Sequence, residues 1–249
     1  MNPAAACAGR YFEYLPQRRD DAFVQTMIDG LGRYVDLTDR ARVLDFGCGT
    51  GRQTVEIARR GCRVLGLDSD APRLSQARCG VDKSLWVHFA RKDLRHIGYD
   101  AEFNVAANLH HPLGRGEGHD LRVLQAVCRA LKAGGKLVMD LPSRDWLVRN
   151  LGPEAFSGEP PLFDLKTGRF HSGLAASGGL RVYCLTEVLR LLEEAHFALE
   201  RVYGGWKGER FDLESMRMIV VAGKTPARER SRAEDDALPR ALRIKGRGR

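Results

Sequence analysis

The chain has 249 residues, 43% of them hydrophobic, and a formal net charge of +8. That is enough apolar material for one well-packed α/β domain and argues against two smaller ones. Its six cysteines, Cys7, Cys48, Cys62, Cys79, Cys128 and Cys184, lie far apart without a C-x-x-C pair. This argues against a disulfide framework or a structural zinc site and fits a reducing cytoplasm, and no bound metal is expected. The start, MNPAAACAGR, has no basic segment followed by an apolar core, so no signal peptide is expected. No apolar run approaches the ~18 residues of a membrane span. Half of the positive excess sits in Thr225–Arg249, a stretch without aromatics or apolar periodicity. A disordered basic tail is expected there.

Phe23, Met27, Ile28, Leu31 and Tyr34 recur at helical spacing, which predicts an N-terminal helical cap within residues 1–40. Arg42–Phe46 reads as a short strand that ends in glycines. Helices are then expected over Thr50–Arg60, Pro72–Cys79 and Asp120–Leu131, and strands over Cys62–Leu67, Trp86–Arg91, Phe103–Asn108 and Lys136–Leu141. This alternation implies βαβ units and a parallel sheet with helices on both faces. It breaks over residues 142–180, where Gly, Pro and scattered aromatics replace it. A stretch that long is read as an inserted lid or substrate element. TEVLRLLEEAHF, Thr186–His196, is an amphipathic helix with Thr186 as its expected N-cap. Leu199–Tyr203 and Met216–Ala222 read as a closing antiparallel pair. The main domain is placed at 41–224.

Asp45-Phe46-Gly47-Cys48-Gly49-Thr50-Gly51 follows a strand and opens a helix. Glycines there let a ligand approach the backbone, and the helix start offers free N–H groups. A dinucleotide loop needs its third glycine at position 52, which is Arg52 here, and this disfavours NAD. Asp68 ends the second strand about twenty residues on. A carboxylate at that point accepts from both ribose hydroxyls and repels a 2′-phosphate. S-adenosylmethionine (SAM) has free ribose hydroxyls and no phosphate.

From about Ala41 to Lys224 the sequence resembles the class I SAM-dependent methyltransferases. The resemblance implies a Rossmann-like, doubly wound, mostly parallel seven-stranded sheet with its last strand antiparallel. It also implies a set of cofactor contacts. Asp45 would help hold the methionine end and Asp68 the ribose, with Gly47, Gly49, Gly51 and Ser69 beside them. Asp93 in FARKDLRHI would sit by the adenine amino group, with the Leu94 N–H on the ring. The strand ending at Asn108 would pass under the cofactor, and Tyr14 would cover its methionine end.

Methyl transfer is an in-line displacement in which positioning supplies roughly 7–11 kcal/mol. A general base is needed only when the nucleophile arrives protonated, and His has the suitable ordinary pKa. Asn108-Leu109-His110-His111-Pro112 follows the fourth strand, so His110 and His111 are the candidate bases. A polar loop start is the other reading of both. They have poor metal-ligand spacing. Asn108-Leu109-His110-His111 is not the Asn/Asp-Pro-Pro-aromatic motif of nucleobase amine methylation. Arg181-Val182-Tyr183 resembles the R-x-Y of small-molecule members, which makes Tyr183 a candidate substrate contact together with Trp146 and Arg217. The expected activity is methyl transfer to O or N of a small molecule, by a monomer or homodimer. The alternatives are an RNA or protein methyltransferase tethered by the basic tail, and a protein that binds SAM without turnover.

Overall fold

The computed structural model describes residues 21–109, 113–157, 161–171 and 179–226. Helix α1 covers Asp21–Tyr34 and buries Val24, Met27, Ile28 and Leu31, the stripe its 3.6-residue spacing demands. Its last turn docks on the far edge of the sheet. The Tyr34 ring stacks on Tyr203 at 4.4 Å, and its hydroxyl donates to the Gly205 carbonyl at 2.9 Å.

Among the described residues seven strands form one sheet: β1 (Arg42–Phe46), β2 (Arg63–Asp68), β3 (Val87–Arg91), β4 (Phe103–Asn108), β5 (Leu131–Pro142), β9 (Phe197–Tyr203) and β10 (Arg217–Lys224). Their order is β3-β2-β1-β4-β5-β10-β9. Six strands run one way, and β10 runs antiparallel to both of its neighbours. The chain winds outward from β1 to β3, then returns to place β4 on the other side of β1. A crevice therefore opens between the carboxyl ends of β1 and β4, where doubly wound sheets bind ligands.

Alternate residues feed two cores. Val43, Val105, Val138, Ile219 and Val221 pack on α1 and on α2 (Arg52–Arg59). Leu44, Phe46, Ala106, Leu137, Met139 and Val220 pack on α4 (Glu117–Ala130) and α6 (Leu185–Glu194). Both faces are covered, so these strands read as apolar runs rather than as alternating ones. Helix α3 (Ala71–Arg78) lies over β2 and β3, capped by the Asp70 carboxylate on the Arg73 N–H.

Two details differ from the sequence reading. Helix α6 is capped at Cys184 rather than Thr186, because the Glu187 carboxylate accepts from the Cys184 N–H at 2.9 Å. The Thr186 hydroxyl instead meets the Cys184 sulfur at 3.1 Å. Strand β5 begins at Leu131 rather than Lys136, and its pairing with β4 shifts register between Phe103 and Val105.

Between β5 and α6 the chain builds a small unit of its own. It contains α5 (Arg144–Asn150), a 3₁₀ turn (Pro153–Phe156) and a three-stranded sheet of β6 (Phe163–Asp164), β7 (Arg169–Phe170) and β8 (Leu180–Arg181). Trp146, Leu147, Leu151, Phe163, Phe170 and Val182 form its core. No helix among the described residues is long and apolar enough to cross a membrane.

Candidate functional site

The glycine loop is folded by its own backbone. Gly47, Gly49 and Gly51 all have positive φ, 77°, 57° and 76°. The Gly47 and Cys48 N–H groups donate to the Leu67 carbonyl at 2.6 and 3.0 Å. Gly51 lacks a side chain for a packing reason. A Cβ there would lie 2.6 Å from the Phe89 ring and 2.9 Å from Ala77, so the start of α2 is pressed onto β3 and α3.

Asp68 anchors this loop. Its carboxylate accepts from the Gly49 N–H at 2.8 Å and from the Asp70 N–H at 2.9 Å. Each oxygen keeps a second lone pair, so the carboxylate can still accept two ligand hydroxyls.

Asp45 is the penultimate residue of β1 and Asn108 the last of β4, and both are buried. One Asp45 oxygen accepts from the Thr54 hydroxyl at 2.5 Å, while Oδ1 has no partner. Burial, aided by the nearby Asp68 charge and opposed by the Thr54 bond, pushes Asp45 up to about 7. The Asn108 amide donates to the Phe46 carbonyl at 2.9 Å, and its Oδ1 likewise has no partner. Two buried orphan acceptors under a glycine loop are costly unless a donor arrives. A cofactor with a cationic ammonium end and ribose hydroxyls fits this donor deficit, and the residues present fit SAM.

Gly47, Asp68, Ser69, Asp93 and Leu94 line one cleft of about 780 Å³. Its opposite wall carries Leu113, Gly114, Arg115, His119 and Leu180. The Arg181 N–H donates to the Gly114 carbonyl at 2.7 Å, which pins β8 of the inserted unit to the loop beyond β4. Five basic side chains line the cleft: Arg73, Arg91, Lys92, Arg95 and Arg115. Asp93 is the N-cap of the 3₁₀ turn Leu94–His96, and its carboxylate is gripped by the Arg95 guanidinium at 2.6–3.1 Å and by the Arg95 N–H at 3.0 Å. These bonds hold it well below the usual carboxylate range.

The three expected substrate contacts do not converge. Trp146 is 7% exposed and belongs to the inserted unit's own core. The Tyr183 hydroxyl donates to buried Asp120 at 2.6 Å, and burial first, then the Asp120 charge, pushes it far up. Arg217 is buried against Asp140 at 2.6 Å, an oxygen that also accepts from the Trp206 indole at 3.1 Å. Each is spent on protein partners, a pairing that residue type alone did not reveal. His110, His111 and Tyr14 lie outside the described residues. His119, which the sequence did not single out as a site, is brought to the cleft by the first turn of α4, with buried Asp120 behind it. A His-Asp pair at a helix start was the available signal. No group of three or more His, Cys, Asp or Glu among the described residues is placed to hold a metal ion.

Comparisons with known proteins agree with this architecture. Residues 43–135 match the family described as a methyltransferase domain. A putative methyltransferase of Bacillus subtilis, YqeM, is 31% identical over 214 residues, covering 76% of this chain and 86% of that one. A trans-aconitate 2-methyltransferase of Deinococcus radiodurans is 34% identical over 110 residues, 41% of this chain and 38% of that one. Among solved structures, an S-adenosylmethionine-dependent methyltransferase of Clostridium acetobutylicum superposes with a TM-score of 0.65 at 13% identity, covering 90% of this chain and 100% of that one. The CcbJ methyltransferase of Streptomyces caelestis gives 0.64 at 17%, covering 91% and 99%. The glycine loop, the strand order and the long match to the Bacillus protein lead to one conclusion: the chain belongs to the class I SAM-dependent methyltransferases.

Proposed function

We propose that this methyltransferase acts at O or N of a small molecule. The observation that carries this reading is the inserted unit. Its strand β8 places Leu180 on the cleft wall and is tied down through Gly114, so the crevice has a protein wall opposite Asp68 and Asp93. The names of two relatives support it: trans-aconitate 2-methyltransferase and ubiquinone biosynthesis O-methyltransferase.

The bound cofactor supplies an activated methyl group on a sulfonium. In this reading Asp68 orients the ribose, Ser69 lies beside it, and Asp45 and Asn108 offer their orphan oxygens at the methionine end. Gly47 and Gly49 leave the backbone open, and Leu94 offers its N–H to the ring. Leu113, Gly114 and Leu180 wall the cleft, and His110 and His111 follow β4 as candidate bases. Gly51 contributes through packing.

A second reading has its own observation. Lys92 and Arg115 line the cleft and form no ion pair among the described residues, a charge pattern that suits an RNA phosphate. One experiment separates the two. The full chain is incubated with tritium-methyl SAM and fractions of a bacterial extract: solutes below 1 kDa, total RNA and total protein. Label in the low-mass fraction that disappears with Asp68→Ala supports the proposal. Label confined to RNA or protein overturns it.

A further inference from the structure

We propose that His119, held by Asp120, reads the amino edge of the cofactor's adenine and sets base specificity. This rests on the cofactor placement above, with its ribose at Asp68.

Asp120 is fully buried at the start of α4. Its Oδ2 accepts from the Tyr183 hydroxyl at 2.6 Å, the Gly114 N–H at 2.7 Å and the Gly116 N–H at 3.4 Å. Its Oδ1 lies 3.0 Å from Nδ1 of His119. Those four contacts, drawn from α4, its preceding loop and the strand-to-helix turn before α6, fix the carboxylate from both sides. The carboxylate in turn fixes the imidazole. With Nδ1–H donating to Asp120, the neutral ring presents Nε2 as a bare acceptor. Nε2 has no hydrogen-bond partner among the described residues. The ring is partly exposed and lines the same cleft as Asp68, Asp93 and Leu94.

Helix α4 packs directly against the 3₁₀ turn Leu94–His96, so His119 and Leu94 bound one end of that cleft. The sequence resemblance assigned the adenine amino group to Asp93. Here Asp93 is already held by three N–H groups of Arg95, its backbone N–H, Nε–H and an Nη–H, which compete with a ligand amino group for its oxygens. An amino group entering this end needs an acceptor, and Nε2 is one already oriented. Adenine offers an N–H donor at C6 where hypoxanthine offers only a carbonyl, so the pair discriminates the two bases. His119 touches the cofactor in this arrangement, while Asp120 and Tyr183 act through it as positioning residues.

The test is calorimetric binding of S-adenosylhomocysteine and S-inosylhomocysteine to the full chain at pH 8, which needs no acceptor substrate. The wild type is expected to prefer the adenosyl compound on the order of tenfold, about 1.4 kcal/mol. In His119→Ala the preference falls to within about twofold, with the inosyl affinity nearly unchanged. A folded His119→Ala protein that keeps the wild-type preference overturns the proposal, as does a wild type without preference. A second measurement on the wild type needs no variant. In ¹⁵N spectra the Nε2 resonance of His119 moves upfield on adding the adenosyl compound and stays in place with the inosyl one, and equal movement with both refutes the assignment. If Asp68→Ala leaves adenosyl affinity intact, the cofactor placement itself fails. If only the His119 arms fail, the placement stands without this contact.

Discussion

Replacing Asp45 by Asn should make the ligand-free protein more stable, by a margin that grows as pH rises from about 4 to about 7. Asp45 is 1% exposed, has one hydrogen bond, from Thr54, and leaves Oδ1 unpartnered. Burial raises it from 3.8 to about 7. Between those two values the native state binds a proton that the unfolded chain has released. Stability therefore falls as pH rises through that window, the opposite of a salt-bridged carboxylate. A gap of roughly three pH units corresponds to about 4 kcal/mol once pH exceeds the folded value. Near about pH 3.5, below both values, the carboxyl is neutral in the folded and the unfolded chain and nearly isosteric with an amide, so wild type and Asp45→Asn should unfold at similar urea concentrations. Near pH 8 the Asn variant should be the more stable by a few kcal/mol, while losing cofactor affinity. Urea unfolding at both pH values, read as the difference between the two proteins, cancels every other titrating group. A difference that does not change with pH would refute the account of Asp45 as a buried charge awaiting a donor.

Two further outcomes follow from the packing. Arg217→Met removes the buried guanidinium that pairs with the Asp140 carboxylate, and the expected loss is about 3–5 kcal/mol of urea-unfolding stability. Adding Asp140→Leu should recover much of it, and no recovery would show that the pair is not the cause. Gly51→Ala places a Cβ at φ +76° and 2.6 Å from Phe89, which costs at least about 1–2 kcal/mol from backbone strain alone. The thermal midpoint should fall by roughly 2–8 °C, and Phe89→Leu should relieve the steric share but not the backbone share.

The sheet and the glycine loop were legible in the sequence because both depend on local rules. Apolar runs such as Val43–Phe46, punctuated by Gly47, Gly49 and Gly51, encode a strand that turns into a helix, whatever surrounds them. The cap of α6 was misplaced for a related reason. A carboxylate three residues on, Glu187, competes for the free N–H of Cys184, and an N-cap read two residues late hides it.

The substrate side was less legible because it depends on partners far apart in the chain. Trp146, Tyr183 and Arg217 look like binding residues by type, yet each is matched by a partner that only folding supplies: Phe163 and Phe170, Asp120, and Asp140. Short-range bonds did the rest: His119 is held by its neighbour Asp120, and Asp93 is gripped by Arg95 two residues on.

By itself, the sequence determined a Rossmann-like domain that approaches a ribose with a glycine loop and an acid, since backbone freedom and a strand-end carboxylate are properties of single residues. Only the tertiary structure decided which side chains remain available in the cleft. Availability is set by what each group has already bonded, and the bonds that claim Tyr183 and Arg217 join residues 63 and 77 positions apart.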